Sequence, residues 1–251
     1  TPYKPHGQTL RLMSHNIQIG IAATSVRQAL TTLWKHVLPH PQIYENLNNI
    51  ASIVSHFDIV ALQEVDAGSL RSSFINQIEF LADKGDFPYW SSQTNREIGI
   101  LTKHSNGLLS RFAPFEISDY KLPGKIPGRG AMVVRYGNPD NPLILGKRTR
   151  MQQLEFVSEI VNCYKHVVVM GDFNCQPESA ELSYLMSTTN LCDPEHGLMT
   201  FPSWKPARRI DHILTSPSLV VHDVHVLEHL YSDHLPIAME IGLPADIDLA
   251  A

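Results

Sequence analysis

Val167-Val168-Val169-Met170, followed by Gly171-Asp172-Phe173-Asn174, is the stretch on which the reading of this chain turns. An unbroken apolar run rich in β-branched residues predicts a strand buried on both faces. Its Gly-Asp-Phe-Asn exit puts a carboxylate and an amide outside the carboxyl end of that strand, where α/β proteins bind their ligands. A turn built from glycine and aspartate would account for the same letters. Three further polar clusters shift the balance, because each ends or adjoins a comparable apolar run: Ser14-His15-Asn16, Gln63-Glu64-Val65-Asp66 and Ser232-Asp233-His234.

The background composition suits a soluble globular chain. With 251 residues, 43% hydrophobic and 18% charged, the chain can bury a substantial core. Neither a linker nor a repeat divides it, so residues 1–251 are expected to form a single domain, and a cytoplasmic monomer is the expected state. A net charge of -5 disfavours a broadly basic nucleic-acid surface, while leaving room for a local basic stripe or a divalent ion that offsets phosphate charge. Cys163, Cys175 and Cys192 make neither a complete disulfide set nor a zinc spacing, so they read as reduced thiols, with Cys175 filling space beside the Asp172 cluster. No apolar segment is long enough to be a transmembrane helix.

Along the chain, short β-like runs alternate with amphipathic segments. Leu10 to Gln18 predicts a strand. Gln42 to His56 predicts a helix from the spacing of Ile43, Leu47, Ile50, Ile53 and Val54. Phe57 to Leu62 predicts a buried strand, and Ser69 to Ala82 a second helix. Short β pieces follow at Ile98 to Leu101, Gly107 to Ser110 and Pro114 to Leu122, then a basic loop from Lys121 to Arg129 and a strand from Ala131 to Tyr136. A helix over Arg148 to Tyr164 leads into the Gly171 strand, and Glu178 to Met186 reads as a short helix. Strands at Ile210 to Leu214, Leu219 to Leu227 and Ile237 to Ile241 complete the chain.

Glu64 and Asp233 are hard oxygen donors of the kind that hold Mg²⁺ or Mn²⁺. Asn16 and Asn174 are neutral amides able to orient water or a phosphate oxygen without repelling an anion. Asp172 is suited to take a proton from water, and His234 to stabilise a phosphoryl oxygen or assist proton transfer. Local turn and capping roles would serve each of these residues singly, and Asp211 could simply bond its own loop.

The ordered set of motifs resembles the endonuclease/exonuclease/phosphatase superfamily, the DNase I-like group of metal-dependent hydrolases. The resemblance runs through Ser14-His-Asn16, Ala61-Leu-Gln-Glu64-Val-Asp66, Asn106-Gly-Leu-Leu-Ser-Arg111, Gly128-Arg-Gly130, Gly171-Asp-Phe-Asn174, Arg209-Ile-Asp211-His-Ile-Leu214 and Ser232-Asp-His234-Leu-Pro236. It implies two packed mixed β-sheets flanked by helices, a four-layered α+β sandwich with the site at one edge. It further implies Glu64 as the principal metal ligand with Asn16 and Asp233 nearby, Asp172 as activator of water, and Asn174 holding water and phosphate. His234 would contact phosphoryl oxygens with Asp211 as its orienting partner, and Asn106 and Arg129 would lie near the substrate cleft. The implied reaction is in-line attack of water on phosphorus with Mg²⁺ or Mn²⁺ as cofactor.

One departure stands out. Relatives ending in Ser-Asp-His commonly carry a second catalytic histidine in a Thr-His-Leu-like strand before the Gly-Asp-Phe-Asn strand. Here no histidine occurs between His104 and His166. Leu143 to Leu145 is much shorter than the facing Ala131 to Tyr136, which points to a segment lost near Leu145. Three functions follow: a phosphodiesterase with nucleic acid as the first substrate class; a phospholipid, sphingomyelin or inositol-phosphate phosphoesterase; or a metal- or phosphate-binding protein that has lost turnover. Trp34, Trp90 and Trp204 form no apolar hairpin for a membrane and read as core or cleft-wall residues. Phe201-Pro-Ser-Trp204-Lys-Pro-Ala-Arg208-Arg209 combines aromatic and basic residues suited to stacking a base and contacting phosphate, or to forming an ordinary packed loop.

Overall fold

In the computed structural model, residues 9–18, 42–98, 102–121, 130–146, 151–194 and 197–249 are described. Strands β1 (Thr9–Asn16), β2 (Ile59–Asp66), β3 (Tyr89–Ile98), β4 (Thr102–Ser110), β10 (Val220–Val226) and β11 (Ile237–Gly242) form a six-stranded sheet in the order β10-β11-β1-β2-β4-β3. The second sheet contains β5 (Glu116–Lys121), β6 (Gly130–Tyr136), β7 (Leu143–Gly146), β8 (His166–Asp172) and β9 (Asp211–Thr215), in sequence order. Both sheets are mixed: β1 runs parallel to β2 and β7 parallel to β8, while the other pairings are antiparallel.

Side-chain alternation explains the layering. Val168 and Met170 of β8 point between the sheets, where they join Leu12, Ile59, Met132, Val134, Leu145, Ile213 and Met239. Val167 and Val169 point the other way, under Val157 and Val161 of α3 (Met151–Asn162) and Leu182 and Leu185 of α4 (Ala180–Thr188). On the opposite side, Met13, Val60 and Leu62 pack beneath Leu47, Ile50 and Val54 of α1 (Gln42–Val54) and Ile78 and Leu81 of α2 (Gln77–Lys84). The result is a helix, sheet, sheet, helix sandwich in which β8 is buried along its whole length.

The expected helix over Ser69 to Ala82 requires correction. Ser73 and Phe74 have φ of 55° and 63°, a left-handed conformation that ends any α-helix. A three-residue 3-10 turn at Leu70–Ser72 precedes them, held because Asp66 accepts bonds from the Ser69 and Ser72 side chains. Helix α2 then starts afresh at Asn76, whose side chain caps the Ile78 and Glu79 amides. Of the β piece expected at Ile98 to Leu101, residues 99–101 lie outside the described residues and Ile98 ends β3, which pairs with β4 from Tyr89–Ser110 to Ile98–Thr102; β4 takes in the expected Gly107 to Ser110. The four residues of β7 pair with Val133–Tyr136 of β6 on one side and His166–Val169 on the other. The short facing segment read from the sequence is therefore an integrated strand as far as Gly146, and residues 147–150 after it lie outside the described residues.

Candidate active site

Parallel pairing of β1 with β2 places Asn16 opposite Gln63 and so beside Glu64. Antiparallel pairing of β8 with β9 places Asp172 opposite Asp211. The two sheets meet at these strand ends. The Asn16 amide links them, with Nδ2 lying 3.3 Å from Glu64 Oε1 and donating at 3.2 Å to Asp172 Oδ2. The loop before β11 closes the ring: Ser232 Oγ donates to Asn16 O at 2.6 Å, and Asp233 Oδ1 lies 4.0 Å from His234 Nε2.

Backbone strain exposes two of these side chains. β2 is buried at every position except Glu64, which sits at φ 53° where the pairing with β4 shifts register between Leu62 and Val65. This bulge turns one carboxylate out of an otherwise buried strand. Asn174 has φ 51°, and its backbone N–H and Nδ2 both donate to Asp172 at 2.9 Å. The turn that glycine and aspartate could build at this exit is thus present as an Asx turn, and it presents Asp172 to the site.

The electrostatics divide the acidic groups into distinct roles. Burial, reinforced by the charge of Asp211, pushes the Asp172 carboxyl up to about 7. Burial also raises Asp233, with Glu64 adding repulsion and His234 opposing it. Burial disfavours a charged His234, but Asp211 outweighs that effect by charge and by a 2.8 Å hydrogen bond at Nδ1, with Asp172 and Asp233 contributing, and His234 is lifted to about 9. His234 is therefore an imidazolium near neutrality, with Nδ1–H donating to Asp211 and Nε2–H on the Asp233 side. Among the described residues, Asp172, Asp211 and His234 are a trio whose ligand atoms fall within 4.8 Å of one another.

Further residues support the site, of which Thr200 is not singled out in the sequence. Thr200 is fully buried and donates from Oγ1 to Asp211 Oδ2 at 2.6 Å, and the Phe201 ring lies 4.8 Å from the His234 ring. The bond spans eleven residues of loop, so no local periodicity marks it. His15 is buried against the His234 carbonyl at 3.3 Å, and burial depresses its imidazole to about 3. Asn106 is buried and uses Nδ2 to bridge Gln93 Oε1 and Gly130 O, both at 3.2 Å, tying β4 to β6. Arg129 and Trp34 lie outside the described residues. Trp90 is 40% exposed and lines a surface cavity of about 640 Å³ with Phe74, Phe80 and Asp83, remote in its lining from every residue above. Cys175 is half-buried beside Phe173, and none of the three cysteines is in a disulfide.

The donor chemistry fits a hard divalent cation. Carboxylates and amides dominate, and the imidazole is already committed to Asp211. Burial and the Asp211 charge, which raise Asp172, disfavour its carboxylate, and an added positive charge offsets that.

The model of the Endonuclease/Exonuclease/phosphatase family matches residues 15–234. Among solved structures, a family protein from Bacteroides thetaiotaomicron aligns with TM-score 0.71 at 18% identity, covering 95% of this chain and 96% of that one. A mannosyl-6-phosphatase from the same species aligns with TM-score 0.68 at 19% identity, covering 93% and 100%. The human Nocturnin catalytic domain with bound sulfate aligns with TM-score 0.67 at 16% identity, covering 93% of both chains. No curated protein matches the chain. The shared architecture is the DNase I-like sandwich.

Proposed function

Because the chain belongs to the endonuclease/exonuclease/phosphatase family, we propose that it is a divalent-metal-dependent phosphodiester hydrolase with nucleic acid as the first substrate class. The observation that carries this reading is the convergence of Glu64, Asp172, Asn174, Asp233 and the Asp211–His234 pair at one edge of the two sheets. Glu64, with Asn16 and Asp233, would hold Mg²⁺ or Mn²⁺. Such a cation supplies Lewis acidity and charge neutralisation to the phosphate group.

The protein's own groups provide the rest. Asp172, near neutrality in its proton affinity and held by both asparagine amides, takes the proton of the attacking water. Asn174 orients that water. His234 Nε2–H donates to a phosphoryl oxygen as charge builds there, while Asp211 keeps Nδ1 protonated and the ring fixed. Thr200 and Phe201 hold Asp211 and the His234 ring in place.

Hydrolysis of duplex DNA, abasic DNA, RNA, sphingomyelin and inositol phosphates with Mg²⁺ or Mn²⁺ tests this reading, with Glu64→Ala as control. Turnover of one class that the variant and a chelator both abolish supports it. One observation favours a second reading, a binding protein that has lost turnover: no histidine stands between His104 and His166. Metal-dependent phosphate binding without hydrolysis of any of these substrates would select it.

A further inference from the structure

Two neighbouring arginines have opposite environments. Arg209 is 5% exposed and forms an ion pair with Asp193, so it serves the fold. Arg208 is exposed and makes no ion pair among the described residues. Its position is nevertheless fixed. The Thr200 and Phe201 amides both donate to Arg208 O at 3.0 Å, and the Arg208 amide donates to Phe201 O at 2.9 Å. Ser203 fastens this turn to the catalytic loop through Ser232 O at 2.6 Å and Asp233 O at 2.7 Å.

The side chains continue the connection. The Arg208 guanidinium carbon sits 4.5 Å over the Phe201 ring, which itself lies 4.8 Å from the His234 ring. Those two contacts keep the cation within about 9 Å of the imidazolium assigned to the reacting phosphate. Because Arg208 covers Phe201, that ring is engaged by protein and does not serve as a free platform for a base. An uncompensated guanidinium on an aromatic face is instead pre-organised for bidentate phosphate recognition.

We propose that Arg208 binds a second phosphate of the substrate, so that the protein favours ligands carrying two phosphate groups over ligands carrying one. The inference rests on the phosphoester reading of the site and narrows its substrate class. The second phosphate has two chemical sources: the next linkage of a nucleotide chain, where one strand of a duplex carries a phosphate about every 3.4 Å of axis, or another position on a phosphorylated ring.

Calorimetric binding with Mg²⁺ present separates these sources without needing turnover. Thymidine 3′,5′-bisphosphate is compared with thymidine 5′-monophosphate, and inositol 1,4-bisphosphate with inositol 1-monophosphate. The expected result is a preference of about ten-fold or more for the bisphosphate in at least one pair, the loss expected for one charge-assisted contact. Arg208→Gln brings the ratio to within about two-fold, Arg208→Lys keeps part of it, and Lys205→Gln, on the same loop, keeps all of it. A preference confined to one pair names the source. Equal affinity for both members of each pair in the wild-type protein, or an unchanged ratio in Arg208→Gln, overturns the proposal. A ratio that depends on Arg208 without any hydrolysis would instead sink the hydrolase reading and leave this contact standing.

Discussion

Replacing Asp211 by asparagine tests the electrostatic arrangement most directly. In the wild-type protein, Asp211 is the main force raising His234 from 6.5 to about 9 against the cost of burial. At 1.36 kcal/mol per unit, that displacement is worth about 3 kcal/mol of preference for the imidazolium. Thr200 Oγ1 and His234 Nδ1 both bond Asp211 Oδ2, so an asparagine carbonyl in that place still accepts both hydrogen bonds while the carboxylate charge beside the ring is lost. With the burial penalty remaining, His234 in Asp211→Asn is expected to titrate at or below 6.5. At pH 8 the ring passes from mostly protonated to mostly neutral, and turnover should fall on the order of 100-fold, as for loss of one pre-organised donor.

The linkage has a definite sign. A raised histidine pKa means that the native state holds a proton the unfolded chain releases, so the stabilisation is complete below pH 6.5 and disappears as pH rises through about 9. Asp211→Asn should abolish that alkaline limb in urea-unfolding midpoints between pH 6 and 9. Two-dimensional NMR of the His234 ring in chelated protein measures the titration itself. A His234 resonance still titrating near 9 in the variant would refute the assignment of Asp211 as the cause.

Three further outcomes are expected. Mg²⁺ or Mn²⁺ at about 100 times its dissociation constant should stabilise the wild-type fold by roughly 2.7 kcal/mol, and Glu64→Ala should remove most of that gain; equal thermal shifts in both proteins would place the ion elsewhere. Burial, aided by Asp211, raises Asp172 to about 7, so its share of stability is present below 3.8 and lost as pH rises through 7 in chelated protein. Asp172→Asn should therefore stabilise the metal-free fold more at pH 8 than at pH 5, measured by chemical denaturation; no pH dependence of the difference would contradict the shift. His15, depressed to about 3 by burial, leaves the native state short of a proton that the unfolded chain binds, so stability should decline as pH falls from 6.5 towards 3 by up to about 5 kcal/mol. His15→Gln, which keeps a donor for the His234 carbonyl, should flatten that acid limb, and an unaltered limb would show that other groups cause it.

The parts of the fold legible in the sequence are those with local signals. Val167–Met170 is apolar at every position because β8 is covered on both faces, and the residues leaving it meet the ends of β1 and β2. β3 is not legible because, among the described residues, it is an edge strand paired only with β4, and its Ser, Gln, Thr and Asn residues carry no apolar alternation. The helix expected at Ser69 was overextended because left-handed Ser73 and Phe74 are held by the surrounding loop, which composition does not report. Within the site, Glu64, Asp172 and His234 stood out as strand-end groups, whereas the pairing of His234 with Asp211 came only through the family resemblance. Thr200 escaped both routes, because its bond to Asp211 depends on how two distant turns close upon each other.

Glu64 carries a wider consequence. A non-glycine residue at φ 53° costs the fold on the order of 1 kcal/mol, and the same bulge breaks the β2–β4 ladder. A search for thermostability alone would favour glycine here, since it accepts this backbone without penalty. Selection for folding and selection for chemistry therefore pull in opposite directions at one codon. In a library sorted first for robustness and later for activity, this position should show the two pressures as a reversal, glycine gaining in the first sort and glutamate in the second.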